Sequence, residues 1–421
     1  MRLRVPSANP AHLGVVQRPR AEGKRSAVAP ASSSGAMTIL TPTVIVEGVR
    51  SADMKAARNA GARILHEGLD GKALLAVDGI DKMSGLIALL MKRQVGAVSP
   101  NFLRRFDRTP LSTTPKAWAH PKIHVAKAWA ITKGSPEVRV AVLDEGVDTA
   151  HPALKAAVVG QHDFIGDKGD SAAPDGNDAH GTSCAGIILS RGKTAVGVAP
   201  KCSLLAARIA MDDGSGHWVF DDYATADAID WAWRAGAAVL SNSWGGGAPS
   251  DAISRAFGRA RTQGRGGKGS VVCIAAGNGQ VPIDFPGNLP GCVTVGASTP
   301  DDERKTRASS DGETWWGSNY GPTMWLLAPG VFIRTTDIAG PAGYDPGDYT
   351  AKFNGTSSAT PHVAAAAALM LSANPNLSAS DVRTLLSTTA KRLAGQAGWT
   401  GELGYGRLDV GAAVAAAKAH P

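Results

Sequence analysis

The sequence predicts an α/β protein: a doubly wound, mostly parallel sheet with helices on both faces, preceded by a small α+β unit of βαββαβ order. Three observations carry that prediction. From Glu137 onward, short β-branched runs bounded by turn residues alternate with helical patterns, as buried parallel strands and their crossovers do. The chain has 50 glycines while aromatics make up 5%, so backbones pack closely and loops turn tightly. Between Thr41 and Phe106 the apolar runs and helical stretches follow the order strand, helix, strand, strand, helix, strand, which is the split βαβ plan.

A chain of 421 residues is long enough for two or three domains. The formal charge is +8, but residues 1–36 hold six Lys/Arg against one Glu, leaving a balance of +3 for the remainder. The basicity is therefore a property of the leader, and no nucleic-acid partner is expected. That leader is rich in Arg, Pro, Ser and Ala and reads as disordered, with neither a secretory h-region nor an apolar run of membrane length. The reading thus excludes a membrane partner and favours the cytosol over secretion. The expected domains are 1–36, the leader; 37–105, the α+β unit; 106–116, a linker rich in proline; and 117–421, the large α/β domain.

Taken in order, the small unit has strands at TPTVIVEGV, around ARILHEGL and KALLAVDGI, and at VGAVSPNFLRRF, with helices at SADMKAARNAGA and KMSGLIALLMKR. In the large domain, strands are predicted at VRVAVL (138–143), SLLAARI (203–209), AAVLSNS (237–243), SVVCIAA (270–276) and CVTVGAS (292–298), with helices at 180–190, 221–235 and 250–264. The last long helix opens in NGTSSATPHVAAAAALM (354–370). Its alanines favour helix, Pro361 is expected in the first turn where its missing N–H costs nothing, and Asn374-Pro375 stops it. The four cysteines, Cys184, Cys202, Cys273 and Cys292, show no metal-ligand spacing; buried free thiols are the simpler expectation in a cytosolic chain, with pairing left open.

In doubly wound folds the functional groups sit at the carboxyl ends of strands and the amino ends of helices. Four residues of this chain meet that condition. Asp144 follows VRVAVL directly, His180 opens HGTSCAGIIL, Asn278 ends IAAGN, and Ser357 opens the alanine helix. Each has an ordinary explanation alone: a turn Asp, a structural His, an Asn-Gly turn, a serine N-cap. Together they supply what acyl transfer needs. A serine hydroxyl attacks once a histidine takes its proton, and a carboxylate holds the imidazole. The anionic intermediate needs donors, which the Asn278 amide and the Ser357 N–H at a positive helix end can supply.

DEGVDTAHPAL, HGTSCAGI, AAGN and GTSSATPHVA resemble the Asp, His, oxyanion and Ser motifs of the subtilisin-like serine proteases, the subtilase family, and the resemblance runs from about residue 117 to 415. It implies catalytic Asp144, His180 and Ser357, an oxyanion donor at Asn278, and no cofactor for catalysis. Two positions depart from the pattern: Glu145 replaces the usual Ser or Thr, and Ser358 follows the nucleophile, so alignment to GTS selects Ser357. By the same resemblance an extended peptide or protein substrate would lie between Gly214-Ser215-Gly216 and Ser243-Trp244-Gly245. Trp218 and Trp244 would flank the pocket for the fourth residue before the cut, and Asp284 would favour Arg or Lys immediately before it. Residues 38–105 would be a propeptide that inhibits the enzyme and is cut off by it between Phe102 and Lys116. Structural Ca²⁺ is possible by resemblance, with no identifiable ligands; Asp163, Asp167 and Asp178 read as solvated loop acids. A peptide transamidase or macrocyclase would use the same triad, and a non-catalytic peptide-binding module would keep the fold without it.

Overall fold

The computed structural model describes residues 37–107, 118–166, 168–213 and 217–421; the expected leader, and most of the expected linker, lie outside them. The N-terminal elements are β1 (Met37–Glu47), α1 (Ser51–Asn59), β2 (Arg63–Glu67), β3 (Ala73–Ala76), α2 (Met83–Lys92) and β4 (Ala97–Asp107). β1 pairs antiparallel with both β3 and β4, and β2 with β3, giving the order β2-β3-β1-β4. Alternation along β1 sends Val44 and Val46 into a core with Leu75, Met54, Leu86 and Leu90, beneath α1 and α2.

After α3 (Ala119–Lys122) and α4 (Val125–Trp129) come β5 (Arg139–Asp144), β6 (Val158–Asp163), α5 (His180–Leu189), β7 (Ser203–Arg208), β8 (Met211–Asp212), β9 (His217–Asp221), α6 (Asp222–Arg234), β10 (Ala237–Asn242), α7 (Asp251–Gln263), β11 (Val271–Ala275), β12 (Val293–Ser298) and β13 (Met324–Pro329). The chain finishes with β14 (Ile333–Thr336), β15 (Tyr349–Phe353), α8 (Thr356–Ala373), α9 (Ala379–Thr388) and α10 (Val410–Ala419). Seven strands form one sheet in the order β13-β12-β11-β10-β5-β7-β6, every pair parallel. The winding reverses between β5 and β10, which opens a crevice at the carboxyl ends of those strands.

α5, α8 and α10 pack on one face of this sheet and α6 and α7 on the other. The alanines 364–368 of α8 are fully buried, and their small side chains let the helix run close across β10–β13. α8 begins at Thr356, so Pro361 is its sixth residue rather than a first-turn residue as the sequence suggests. β8 and β9 leave the large sheet altogether. β9 pairs antiparallel with β4, joining the N-terminal sheet to the large domain in six strands, β2-β3-β1-β4-β9-β8.

Candidate active site

Asp144 is the last residue of β5, beside the winding reversal. Its carboxylate oxygens lie 2.9 and 3.0 Å from His180 Nδ1, and it also accepts the Glu145 N–H at 2.9 Å. His180 opens α5, which can come this close because residue 181 is glycine. A Cβ there would stand 2.1 Å from the Gly146 carbonyl oxygen and 2.9 Å from Asp144 Cβ. A carboxylate acceptor puts the imidazole proton on Nδ1 and leaves Nε2 as the base. Glu145, fully buried, accepts the backbone N–H of His180 at 2.6 Å. Asp144 thus fixes the ring of this histidine and Glu145 fixes its backbone. Trp218 and Phe353 meet the ring edge-on, with centroids 4.3 and 5.3 Å away.

Ser357 is the second residue of α8 and is 7% exposed. Its N–H belongs to the first turn, where a helix leaves donors without internal partners. Its Oγ donates to the Ser243 carbonyl at 3.2 Å rather than to His180, a ground-state arrangement common in sites without substrate. The position of Pro361 has a consequence here. Lacking an N–H, it cannot donate to the Ser357 carbonyl one turn earlier, and that oxygen instead accepts Ser243 Oγ at 3.0 Å and Cys184 Sγ at 3.6 Å. The helix defect ties the Ser357 backbone to Ser243, just after β10, and to α5.

Asn278 Oδ1 accepts both the N–H and the hydroxyl of Thr356, at 2.8 and 3.0 Å, while Thr356 Oγ1 accepts the Gly277 N–H at 3.1 Å. A backbone N–H demands the oxygen end of the amide, so Nδ2 is the donor end. Gly355, at φ +107°, caps α8 in a conformation suited to glycine, and a Cβ there would lie 3.4 Å from Asn278 Nδ2. Upstream, buried Glu313 accepts Asn354 Nδ2 at 2.9 Å and Trp316 Nε1 at 2.7 Å, holding the strand that leads into the Gly-Thr-Ser turn.

One cleft of about 320 Å³ is lined by His180, Trp218, Trp244, Asn278, Asp284 and Ser357, with Ser243 and Gly245. Gly214, Ser215 and Gly216 lie outside the described residues. Trp244 stacks on Phe257 of α7, 6.1 Å between centroids, and meets Phe220 edge-on, so most of its ring is core. Asp284 is partly exposed at the cleft wall, which Arg307 also lines. Sequence reasoning gave no role to Thr356, Glu313 or Cys184. The last was within reach, because residue 184 is one helical turn from His180; its Sγ lies 3.8 Å from His180 Nδ1. Burial, and next the Asp144 charge, push its thiol well above the ordinary range. All four cysteines are free and buried.

Among the described residues one group could hold a metal, Asp144 with His180 and Cys184. It is buried, offers nitrogen and sulfur beside a single carboxylate, and does not suit Ca²⁺, which takes six or more oxygens. Nor are Asp163 and Asp178 solvated, as the sequence suggests. Both are buried; Asp163 pairs with Arg208 at 3.0 Å, and Asp178 accepts the Asp212 N–H at 3.3 Å. Asp167 lies outside the described residues. No helix among the described residues is long and apolar enough to cross a membrane.

A carboxylate-held imidazole and a serine at a helix start, on a seven-stranded parallel sheet reversed at the same crevice, define a serine hydrolase of the subtilisin fold. The subtilase family profile matches residues 135–406. The chain is 36% identical over 278 residues to thermitase of Thermoactinomyces vulgaris, covering 65% of this chain and 88% of that one. Subtilisin DY of Bacillus licheniformis is 37% identical over 280 residues, covering 65% and 90%. Fervidolysin from Fervidobacterium pennivorans, described as a keratinolytic enzyme related to subtilisin, superposes with a TM-score of 0.73 over 94% of this chain and 65% of that one; at 23% identity it speaks for the fold alone. The chain belongs to the subtilase family and is a subtilisin-like serine endopeptidase, which acts on peptide substrates.

Proposed function

We propose that the chain hydrolyses peptide bonds through an acyl-enzyme, with Ser357 as nucleophile, His180 as base and Asp144 as the orienting carboxylate. The observation that carries this reading is the two-oxygen grip of Asp144 on His180 Nδ1 in the cleft that also holds Ser357. His180 Nε2 takes the proton from Oγ as it attacks and returns it to the leaving amine. Substrate helps this along: a peptide N–H that competes for the Ser243 carbonyl releases the Ser357 hydroxyl toward His180. The oxyanion receives Asn278 Nδ2 and the Ser357 N–H, both preorganised by α8. No cofactor enters these steps, and we assign no Ca²⁺ site. A serine-directed phosphonate should label the protein and fail on Ser357→Ala. Equal labelling of both would sink the assignment, and a product mass showing amine transfer in place of water addition would make it a transamidase.

The N-terminal unit reads as a propeptide. Its βαββαβ order is of the ferredoxin-like kind, and β4 pairs with β9 from Leu103 opposite Asp221 to Asp107 opposite His217, as an inhibitory strand entering the cleft would. We place the propeptide at 37–105, processing between Phe102 and Lys116, and the catalytic domain at 117–421; residues 108–117 lie outside those described. Purified Ser357→Ala protein should stay full length while wild type is trimmed, and trimming of both would assign the cut to another protease. Asp284 at the cleft wall supports a preference for Arg or Lys before the scissile bond. A peptide set varying that residue tests it, and the idea fails if Leu or Phe serves as well.

A further inference from the structure

Arg104 lies on β4, yet it is 1% exposed and its guanidinium is held by the large domain. Nε donates to Asp222 Oδ1 at 2.5 Å and Nη2 to Oδ2 at 3.1 Å. Nη1 donates to the carbonyls of Gly246 and Ala248 at 3.1 and 2.8 Å, and the Phe285 ring centroid is 5.3 Å from Cζ. Four of the five guanidinium N–H groups are thereby used. A carboxylate set for a planar fork, two carbonyls and a ring face match arginine; an ammonium would meet only part of the set.

The socket is continuous with the cleft. Gly246 follows Gly245, and Phe285 follows Asp284, both cleft residues. Arg104 stands opposite Phe220 on β9, and the residue two further along β4 stands opposite Trp218, whose ring touches His180. Phe220 and Trp218, two apart on β9, share a face.

We propose that the Asp222–Gly246–Ala248 socket is a distal arginine subsite of the processed enzyme, taking an Arg of an extended substrate well before the scissile bond; this rests on the protease and self-processing reading above. Departure of β4 leaves β9 with an open edge, which an extended peptide can fill in the same direction and register. It also leaves Asp222, 0% exposed in the uncut chain, without its guanidinium. A peptide arginine over Phe220 restores the pairing that a deeply held carboxylate requires.

The test uses processed wild-type enzyme and fluorogenic peptides with constant residues around the cut, in which one Arg is moved a residue at a time through the N-terminal flank and compared with Ala and Lys. At one position kcat/KM should rise about tenfold for Arg over Ala, with Lys well below Arg. In Asp222→Asn enzyme the Arg-to-Ala ratio should fall toward one. Cleavage of every peptide with a ratio near one at all positions overturns the subsite. If no peptide is cut, the protease reading fails instead, and the socket is judged on the full-length chain. There Arg104→Ala protein should gain thermal stability from ethylguanidinium over ethylammonium at equal concentration, and equal effects overturn the proposal.

Discussion

His180, the proposed base, is held from two sides, and the second hold comes from Glu145, where the sequence departs from the family's motif. Glu145 accepts the His180 N–H at 2.6 Å from a buried position. Removing that acceptor leaves a buried donor unpaired, at a cost of about 1–3 kcal/mol, and frees the start of α5 to shift. Glu145→Ala should lower kcat by about tenfold with little change in KM, since misplacing a base acts on the transition state more than on binding, and Glu145→Gln, which keeps an oxygen acceptor, should recover most of it. Equal losses in both variants would mean that the charge, not the acceptor, matters. Asn278→Ala should cost more, about 10²–10³ in kcat, the size known from subtilisin for losing this kind of donor. The proposed triad and Asn278 could be picked out of the sequence because their motifs are local strings. Glu145 was visible only as a departure, since its partner is 35 residues away and a carboxylate after a strand says nothing of where it points.

At the level of elements, the legible strands of the large sheet are those whose two faces are both buried. β5, β7, β10, β11 and β12 are continuous apolar runs, and the structure begins and ends them within about a residue of the sequence reading. β6 and β13 are edge strands of the same sheet, and β6 carries Gly, Gln, His and Asp in its six residues, so it has no such run. β9 was missed because its partner, β4, lies more than a hundred residues earlier. α8 was legible from its alanines, but the place of Pro361 was not, because a polar start such as GTSSAT does not say which residue begins the helix, and only the structure puts Thr356 first. Alanine 366 is fully buried in the helix that crosses the sheet. Ala366→Leu should therefore destabilise by about 1–3 kcal/mol or more, read as a lower urea midpoint at unchanged m-value. A neutral result would mean that the sheet face beneath α8 has room the packing does not suggest.

For the whole molecule, the fold places its titrating groups so that acid should weaken it in a defined window. Burial lowers His120 from 6.5 to about 4, and burial with the neighbouring His120 lowers His362 to about 3. His362 Nδ1 donates to the Ser358 carbonyl at 2.8 Å inside α8, a bond the neutral ring can make. Both imidazoles are depressed in the folded state, so unfolding takes up their protons. The stability they lend is present above pH 6.5 and is lost as pH falls through the folded values. Asp221, at the start of α6, acts in the opposite sense: burial raises it to about 6, so its contribution is full below about pH 4 and is lost as pH rises through 6. Unfolded imidazoles are only half protonated at pH 6.5 and Asp221 is already part-protonated there, so the net uptake on unfolding stays near one proton from about pH 6.5 to 4.5. Each net proton is worth about 1.4 kcal/mol per pH unit, so Ser357→Ala protein, which should not digest itself, ought to lose urea stability steadily, by roughly that much per unit, as pH falls from about 6.5 to 4.5. Asp221→Asn keeps a good helix cap and removes the offset. It should be the more stable protein above pH 6 and should lose stability more steeply between 6 and 4; parallel profiles for the two proteins would show that Asp221 does not titrate in that window.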